Sequence, residues 1–453
     1  MRIKLGFPLT EREIAACVGG IAHNDNTIEY ITTDSREVMR GDLFIALDGE
    51  KYNGENYVCD VIKKGAIPMS QASRNVGITV YNTREALLLL AGCYIKRLKN
   101  LKHRIAITGS VGKTTTKEFM RVILAEEYKI HASHENYNNE IGMPLSILSA
   151  YDDTEVLVCE LGMNHSGEIR RMANILLPEI AVITNIGSSH IGNLGSREAI
   201  AKAKLEITEN TANKVTLVPT DERLLSSAKN KITFSLNDHG SNFTLLVRKD
   251  NYITIYKNGE PILSERFAFR DTHLYTSLLI SIAVATLTGE SIANIKRGVI
   301  KISAENIRQK MIFGKRFNFC ADFYNSSPES LFAALDSLMR LDNFASKSAL
   351  IGDILELGDF AESIHYEIGR RLCKYNLHRL YLFGPLSINT LIGAVDSGFP
   401  LERIFINDNI DSPHITVDQI EQNSNSNEII LMKASRALKL ERILEYFTND
   451  DMN

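Results

Sequence analysis

The stretch Ile105-Ala-Ile-Thr108-Gly109-Ser110-Val111-Gly112-Lys113-Thr114-Thr115-Thr116 decides how the chain is read. Its first four residues read as a short apolar strand, and a helical sequence runs from about Thr115 to Glu127. Between them, Gly109 and Gly112 let backbone N–H groups turn toward a phosphate, and the helix N-terminus adds partial positive charge. Lys113 would neutralise β/γ-phosphate charge, and the Thr114 hydroxyl could ligate Mg2+. The general nucleotide-binding pattern has glycine where this chain has Ile107, so the match is to a shorter loop. A Gly/Ser turn that merely caps a helix is the bland alternative. Position between strand and helix, with the Gly-Lys-Thr-Thr ending, favours phosphate.

Outward from the loop, apolar strands at Val156–Glu160 and Ala181–Ile186 are each followed by helix-forming sequence. Strand alternating with helix implies a doubly wound, mostly parallel sheet. Ligands sit beyond the carboxyl ends of such strands. Glu160 closes one strand and His190 lies just past another, so both can reach one metal–phosphate cluster. Lys202 and Lys204 read by default as exposed helix charges. Phe243–Val247 and Tyr252–Tyr256 alternate around Asp250-Asn251 as a hairpin. The helix Leu274–Leu287 reads as the last element of this domain.

The amino-terminal stretch carries a buried strand at Leu43–Leu47, closed by Asp48-Gly49, and a helix at Thr83–Leu98. Beyond residue 305 the alternation resumes, with strands at Ala349–Ile351, Leu380–Phe383 and Ile429–Met432 and helices at Ile364–Cys373 and Leu438–Phe447. The expectation is three α/β domains, 1–98, 99–304 and 305–453, the central one of phosphate-loop type.

At 453 residues the chain exceeds a single ordinary core. With 44% hydrophobic and 23% charged residues it is an ordinary globular composition. A net charge of -4 argues against general affinity for nucleic acid or anionic membrane, but leaves room for a local basic pocket. Six cysteines stand singly, without metal-ligand spacing, and read as small buried hydrophobes suited to a reducing compartment. No signal peptide or membrane span is legible, so a cytoplasmic setting is expected.

Several motifs together resemble the Mur ligases. They are Thr108–Thr116, Asn138-Asn139-Glu-Ile-Gly142, Glu160-Leu-Gly-Met-Asn-His165, Thr184-Asn-Ile-Gly187 with His190, and Ala203-Lys-Leu-Glu-Ile207. Asp34-Ser35-Arg36 with Gly41–Leu47 is similar to the family's uridine-nucleotide-binding amino-terminal domain. Tyr324-Asn325, Gly352-Asp353, Leu355-Glu-Leu-Gly358, His365 and Lys433-Ala-Ser435-Arg436 resemble its Rossmann-like carboxy-terminal domain. The resemblance spans nearly the whole chain and is strongest to members that join D-alanyl-D-alanine to UDP-N-acetylmuramoyl-tripeptide in peptidoglycan precursor synthesis.

The resemblance implies an ATP-dependent, amide-forming ligase that works through an acyl phosphate. It implies that Gly109, Ser110, Gly112, Lys113, Thr114 and Thr115 hold the ATP phosphates. Thr114 and Glu160 would hold one Mg2+, and His190 with a carbamylated Lys204 a second. His273, Asp322, Tyr324 and Asn325 would approach the nucleotide. Asp34, Ser35 and Arg36 would meet the UDP group, Asn138 and Asn139 would orient phosphate or substrate, and His165 would lie near the muramoyl substrate. Lys433, Ser435 and Arg436 would line the dipeptide side. Small-molecule substrates and a monomeric chain are expected, with no nucleic acid and no membrane insertion.

The chain departs from the family pattern at Asp271, Leu274, Ser277, Ser327 and Ala434. Ser277 stands where the family's asparagine reads adenine, and the Ala434 methyl stands where backbone could approach ligand. A paralogue working on another acid and amine, or a homologue that binds nucleotide without turnover, therefore stays open. The third residue of the stem peptide is not legible.

Overall fold

The computed structural model describes residues 2–449 except 50, 51, 135, 136, 211, 249, 250, 270, 304, 305, 307–309, 315, 324 and 426. Tyr324 and the hairpin residue Asp250 thus lie outside the described residues. Three sheets carry the fold. The first has six strands in the spatial order Arg2–Thr10, Thr27–Thr32, Leu43–Ile45, Ile67–Ser70, Ile78–Thr79 and Ile21–Ala22. The second has nine strands and the third six.

In the central sheet His103–Thr108 lies between Ile180–Ile183 and Val156–Glu160, all parallel. The phosphate-loop strand is therefore internal, and its carboxyl end opens beside two other carboxyl ends. The sheet stays parallel out to Phe243–Val247, where an antiparallel pair, Tyr252–Lys257 and Glu260–Arg266, closes the edge. The strands Phe243–Val247 and Tyr252–Lys257 pair antiparallel, as their alternation implies. The long helix runs Thr272–Leu287, and a further helix, Ile292–Lys301, follows it, so the domain does not end where the apolar run does. In the third sheet Asn318–Ala321, Glu428–Lys433, Ser346–Gly352, Leu380–Phe383 and Ile404–Asn407 are parallel, with Lys310–Phe313 antiparallel at one edge.

The first two sheets share one hydrophobic core, from Leu5 and Leu90 through Leu145 and Met172 to Ile200. The helix Thr83–Arg97 carries it, packed on the helices Gly142–Leu148 and Glu168–Leu176. At the joint the Tyr94 hydroxyl accepts from Phe7 N (3.0 Å) and donates to Ala150 O (3.1 Å). A Cβ on Gly6 would lie 1.9 Å from Ala150 O, so glycine is required there for contact. By contrast, the third sheet forms its own cores on its two faces.

Two readings are corrected. Cys17 and Cys93 form a disulfide between the helices Glu11–Val18 and Thr83–Arg97, while Cys59 and Cys373 are exposed. Only Cys159 and Cys320 are the buried thiols expected. Lys204 is not an exposed helix charge but a buried one, 2% exposed.

Glu290, just after the helix Thr272–Leu287, is buried, and neither carboxyl oxygen has a hydrogen-bond partner among the described residues. Burial, with Glu127 and Glu126 nearby, pushes its carboxyl up to about 8 from 4.5. The folded chain thus keeps a proton there that the unfolded chain has released, and stability falls as pH rises from 4.5 to about 8. Glu290→Gln should flatten that fall. Urea midpoints at pH 5 and pH 8.5 should show the variant gaining on the order of 1–2 kcal/mol at the higher pH, after discounting for solvent screening. Parallel pH profiles for both proteins would contradict it.

Candidate functional site

The loop between His103–Thr108 and the helix Lys113–Leu124 is shaped by two glycines. Gly109 has φ 147°, and a Cβ there would lie 1.9 Å from Thr184 Oγ1. Gly112, at φ 84°, precedes the helix with no side-chain cap, leaving its first N–H groups for an anion. Asn185 braces the loop: its Oδ1 accepts from Ser110 N and Val111 N, both at 3.0 Å. Thr184 Oγ1 donates to Val111 O (2.6 Å), and Gly187 N donates to Ser110 Oγ (2.8 Å). Lys113 Nζ folds back over the loop and donates to Gly109 O (2.7 Å).

The carboxyl end of Val156–Glu160 meets this loop. Thr114 Oγ1 donates to Glu160 Oε2 (2.7 Å), and Asn138 Nδ2 donates to Glu160 Oε1 (2.9 Å). Glu160 is 1% exposed. Thr114 and Glu160 thus present a hydroxyl and a carboxylate side by side. Among the described residues no three His, Cys, Asp or Glu side chains gather as a metal cluster. The Thr114 and Glu160 oxygens fit Mg2+, which takes one or two protein oxygens and finds its other ligands in phosphate and water.

His190 borders the same cavity as Lys113, Thr114 and Glu160. Its Nδ1 lies 2.6 Å from Glu356 Oε2 of the third sheet's domain, an ion-pair distance without a straight N–H···O alignment. This contact holds the Glu356 carboxyl below its ordinary range. Lys204, in the helix Arg197–Leu205, lines neither this cavity nor the neighbouring one. It is buried close enough to Lys113 for their charges to oppose each other. Burial first, and Lys113 second, push its ammonium well below the usual lysine value. Among the four expected catalytic residues, three share one cavity and the fourth is buried beside Lys113.

The adjoining cavity is lined by Gly112, Thr114, Thr115, His273, Asp322, Asn325 and Lys433, so it lies between the central and carboxy-terminal domains. Burial pushes the His273 imidazole below its ordinary value. Lys433 Nζ donates to Asp322 Oδ2 (2.9 Å), Asp322 O (3.2 Å) and Asn325 O (3.1 Å), holding that turn at the cavity wall. Ser435 Oγ accepts from Leu355 N (2.9 Å), and Arg436 pairs with Glu441 on the surface. Ser435 and Arg436 line neither cavity.

The departures are absorbed by local structure. Ser277 Oγ accepts from Thr116 Oγ1 (3.1 Å) at the cavity wall. Ser327 caps the helix Pro328–Met339 in a reciprocal pair with Ser330. Leu274 is core. The Ala434 methyl packs against Gly352, inside a hydrophobic core, rather than toward a ligand. Asp271 lies 3.8 Å from Arg340, which also donates to Thr272 Oγ1 (3.1 Å), adding polar contacts to the third domain.

A separate crevice in the amino-terminal domain is lined by Asp34, Ser35, Arg36, Tyr52 and Tyr57. Arg36 binds Asp34 in a fork, which holds the Asp34 carboxyl well below the carboxylate range. Asn139 Oδ1 accepts from Ile141 N and Gly142 N, so its carbonyl fixes a helix start. His165 is exposed. Sequence reasoning gave no role to Asn185, Glu329 or Glu356. Asn185 had one signal, its place just past a strand end beside the loop. Glu329 Oε1 accepts from Ser188 N (2.7 Å) and Ser188 Oγ (2.9 Å), a contact across domains that no local pattern foretells.

Residues 107–268 match the Mur ligase middle domain. The chain is 31% identical to the UDP-N-acetylmuramoyl-tripeptide–D-alanyl-D-alanine ligase of Bacillus subtilis, over 96% of this chain and 97% of that protein. It superposes on the crystal structure of MurF from Acinetobacter baumannii with a TM-score of 0.86 and 26% identity, covering 99% of this chain and 100% of that one. It also matches MurF ligase from Thermotoga maritima in complex with ADP, with a TM-score of 0.77 and 25% identity, covering 93% and 97% of the two chains.

Proposed function

This chain belongs to the Mur ligase family, and on that premise we propose that it joins D-alanyl-D-alanine to UDP-N-acetylmuramoyl-tripeptide while converting ATP to ADP and phosphate. It is an ATP-dependent ligase. In this reading a carboxylate oxygen of the tripeptide attacks the γ-phosphorus, and ADP leaves an acyl phosphate. The dipeptide amine then attacks the acyl carbon, the C–O bond to phosphate breaks, and the amine loses a proton.

The observation that carries the reading is that Lys113, Thr114, Glu160 and His190 border one cavity at the carboxyl ends of parallel strands. The reaction gathers triphosphate, carboxylate and oxyanion charge in one place, and preorganised cations are what lower its barrier. Lys113 offsets β/γ-phosphate charge. Thr114 and Glu160 would hold one Mg2+, and His190 with carbamylated Lys204 a second; bound there, the ions supply charge neutralisation. Lys204 suits carbamylation because burial and Lys113 both disfavour its ammonium form, and it is the unprotonated amine that attacks carbon dioxide, forming an N–C bond and releasing a proton. The product is an anion beside Lys113, so the mutual repulsion becomes attraction.

His273, Asp322 and Asn325 would meet the nucleoside, and Asp34, Ser35 and Arg36 the UDP group. Asn138 would hold Glu160 in place, with His165 at the muramoyl end and Ser435 and Arg436 toward the dipeptide. The domains we assign are 1–98 for the UDP substrate, 99–304 for ATP and 305–453 for completing the ligase site. A cytoplasmic monomer is the setting we propose; among the described residues no helix is long and apolar enough to cross a membrane.

The test is incubation with Mg-ATP, D-alanyl-D-alanine and UDP-N-acetylmuramoyl-tripeptides differing in the third residue. Mass spectrometry should find one pentapeptide product formed with equimolar ADP. Absence of both from every mixture would overturn the assignment.

A further inference from the structure

His190 and Glu356 both have φ 64°, the left-handed region that non-glycine residues avoid. Such backbone is strained and persists only where the surroundings over-determine it. The surroundings here do so from both domains. Ile354 N donates to His365 Nε2 (3.1 Å), and Leu355 N donates to Ser435 Oγ (2.9 Å), which fixes the loop ahead of Glu356. Gly192 N then donates to Glu356 O across the domain boundary (3.1 Å). Gly192 and Gly358 touch backbone to backbone, and a Cβ on Gly192 would lie 2.4 Å from Gly358 N. Two strained residues are thereby held face to face, with Glu356 Oε2 2.6 Å from His190 Nδ1, at the wall of the cavity that Lys113 and Glu160 also border.

We propose that Glu356 is a positioning residue for His190, delivered by the carboxy-terminal domain when it docks. A carboxylate that accepts from Nδ1–H fixes the imidazole tautomer and leaves the Nε2 lone pair to hold a metal ion beside the phosphates. Docking then does more than cover the cavity: it completes the orientation of a residue in the central domain. The inference rests on the reading of His190 as a ligand at the phosphate site, and it adds the residue that aims it.

The experiment uses Glu356→Gly, because glycine adopts the left-handed backbone without strain and removes only the side chain. Glu356→Gln serves as the conservative variant, its amide oxygen still able to accept from Nδ1–H. In ligand-free protein labelled with 15N-histidine, the His190 signal is identified by its loss in His190→Ala. Wild type and Glu356→Gln should hold His190 mainly as the Nδ1–H tautomer, and Glu356→Gly should show a mixture. In the ligation assay Glu356→Gly should lower kcat roughly 10- to 100-fold, with KM for ATP changed less than about threefold and activity largely kept in Glu356→Gln. An unchanged tautomer in Glu356→Gly would overturn the proposal, whatever the activity. So would a kcat loss accompanied by an expanded solution-scattering radius and reproduced by Ser188→Ala, since that pattern marks a docking contact only. If wild type ligates nothing, the function assignment fails while the tautomer comparison still decides this one.

Discussion

Lys204→Ala should fold normally and lose nearly all ligation, with a drop of roughly 100- to 1,000-fold or more in kcat, the range for deleting a preorganised electrostatic group. The fold should survive because burial and the nearby Lys113 both disfavour a proton on the unmodified amine, so alanine removes no favourable charge contact that this amine makes. The chemistry should not survive, because the carbamate would supply an anion where two oppositely charged partners, Lys113 and a metal ion, need one. Formate or acetate added to the variant should therefore restore part of the activity, in a saturable way, by entering the space the lysine leaves. A plain buried lysine predicts the opposite: lower stability and no response to carboxylate. Activity of Lys204→Ala measured against formate concentration separates them, and no rescue at any concentration would remove support for the carbamate.

Lys113→Ala should be the other large loss, again about 100- to 1,000-fold in kcat, or roughly 2.7–4 kcal/mol of transition-state stabilisation. The side chain covers the loop, donating to Gly109 O, and reaches the cavity shared with Thr114, Glu160 and His190. Its removal has a second consequence. Lys113 is one of the two influences that disfavour a proton on Lys204, so its loss raises the tendency of Lys204 to hold a proton and resist carbamylation. The effects of Lys113→Ala and Lys204→Ala should then fall short of additive, as expected for groups that act as a unit. Near-wild-type turnover in Lys113→Ala would refute the phosphate role of the loop.

The parts of this site legible in the sequence are those whose meaning is local. The run Ile105–Thr116 declares strand, turn, lysine and helix in one stretch, and the structure keeps that order. Glu160 and His190 were accessible because strand ends in a parallel sheet converge. Lys204 was not legible from its own surroundings: a lysine in Arg197–Leu205 looks like any solvated helix charge, and only the tertiary fold buries it. Family resemblance, rather than patterning, singled it out. Asn185 was quoted within a motif, yet its hydrogen bonds to Ser110 and Val111 exist only once two strand ends lie side by side. Glu329 and Glu356 act across a domain boundary, and Cys17 and Cys93 are 76 residues apart, beyond the reach of spacing arguments. The departures at Ser327 and Ala434 looked like drift at a ligand. They are a helix cap and a core contact, because capping and packing leave the same trace in sequence as a lost ligand contact.

The domain contacts also bear on how turnover proceeds. The amino-terminal domain shares a core with the central one, whereas the carboxy-terminal domain meets it through Ser188–Glu329, His190–Glu356 and Arg340–Asp271. Polar contacts of that kind open at lower cost than a shared core, so opening for substrate and product exchange belongs at the second boundary.

The central claim is that a phosphoryl group passes from ATP to a substrate carboxylate in the cleft that Lys113, Thr114, Glu160 and His190 border, with Lys204 buried beside Lys113. The most direct measurement labels the terminal carboxylate of the UDP-N-acetylmuramoyl-tripeptide with 18O and follows the released phosphate by mass spectrometry. The account predicts one 18O atom in each phosphate formed alongside the pentapeptide, carried over when the acyl C–O bond breaks. Phosphate that emerges unlabelled while ligation proceeds would contradict it.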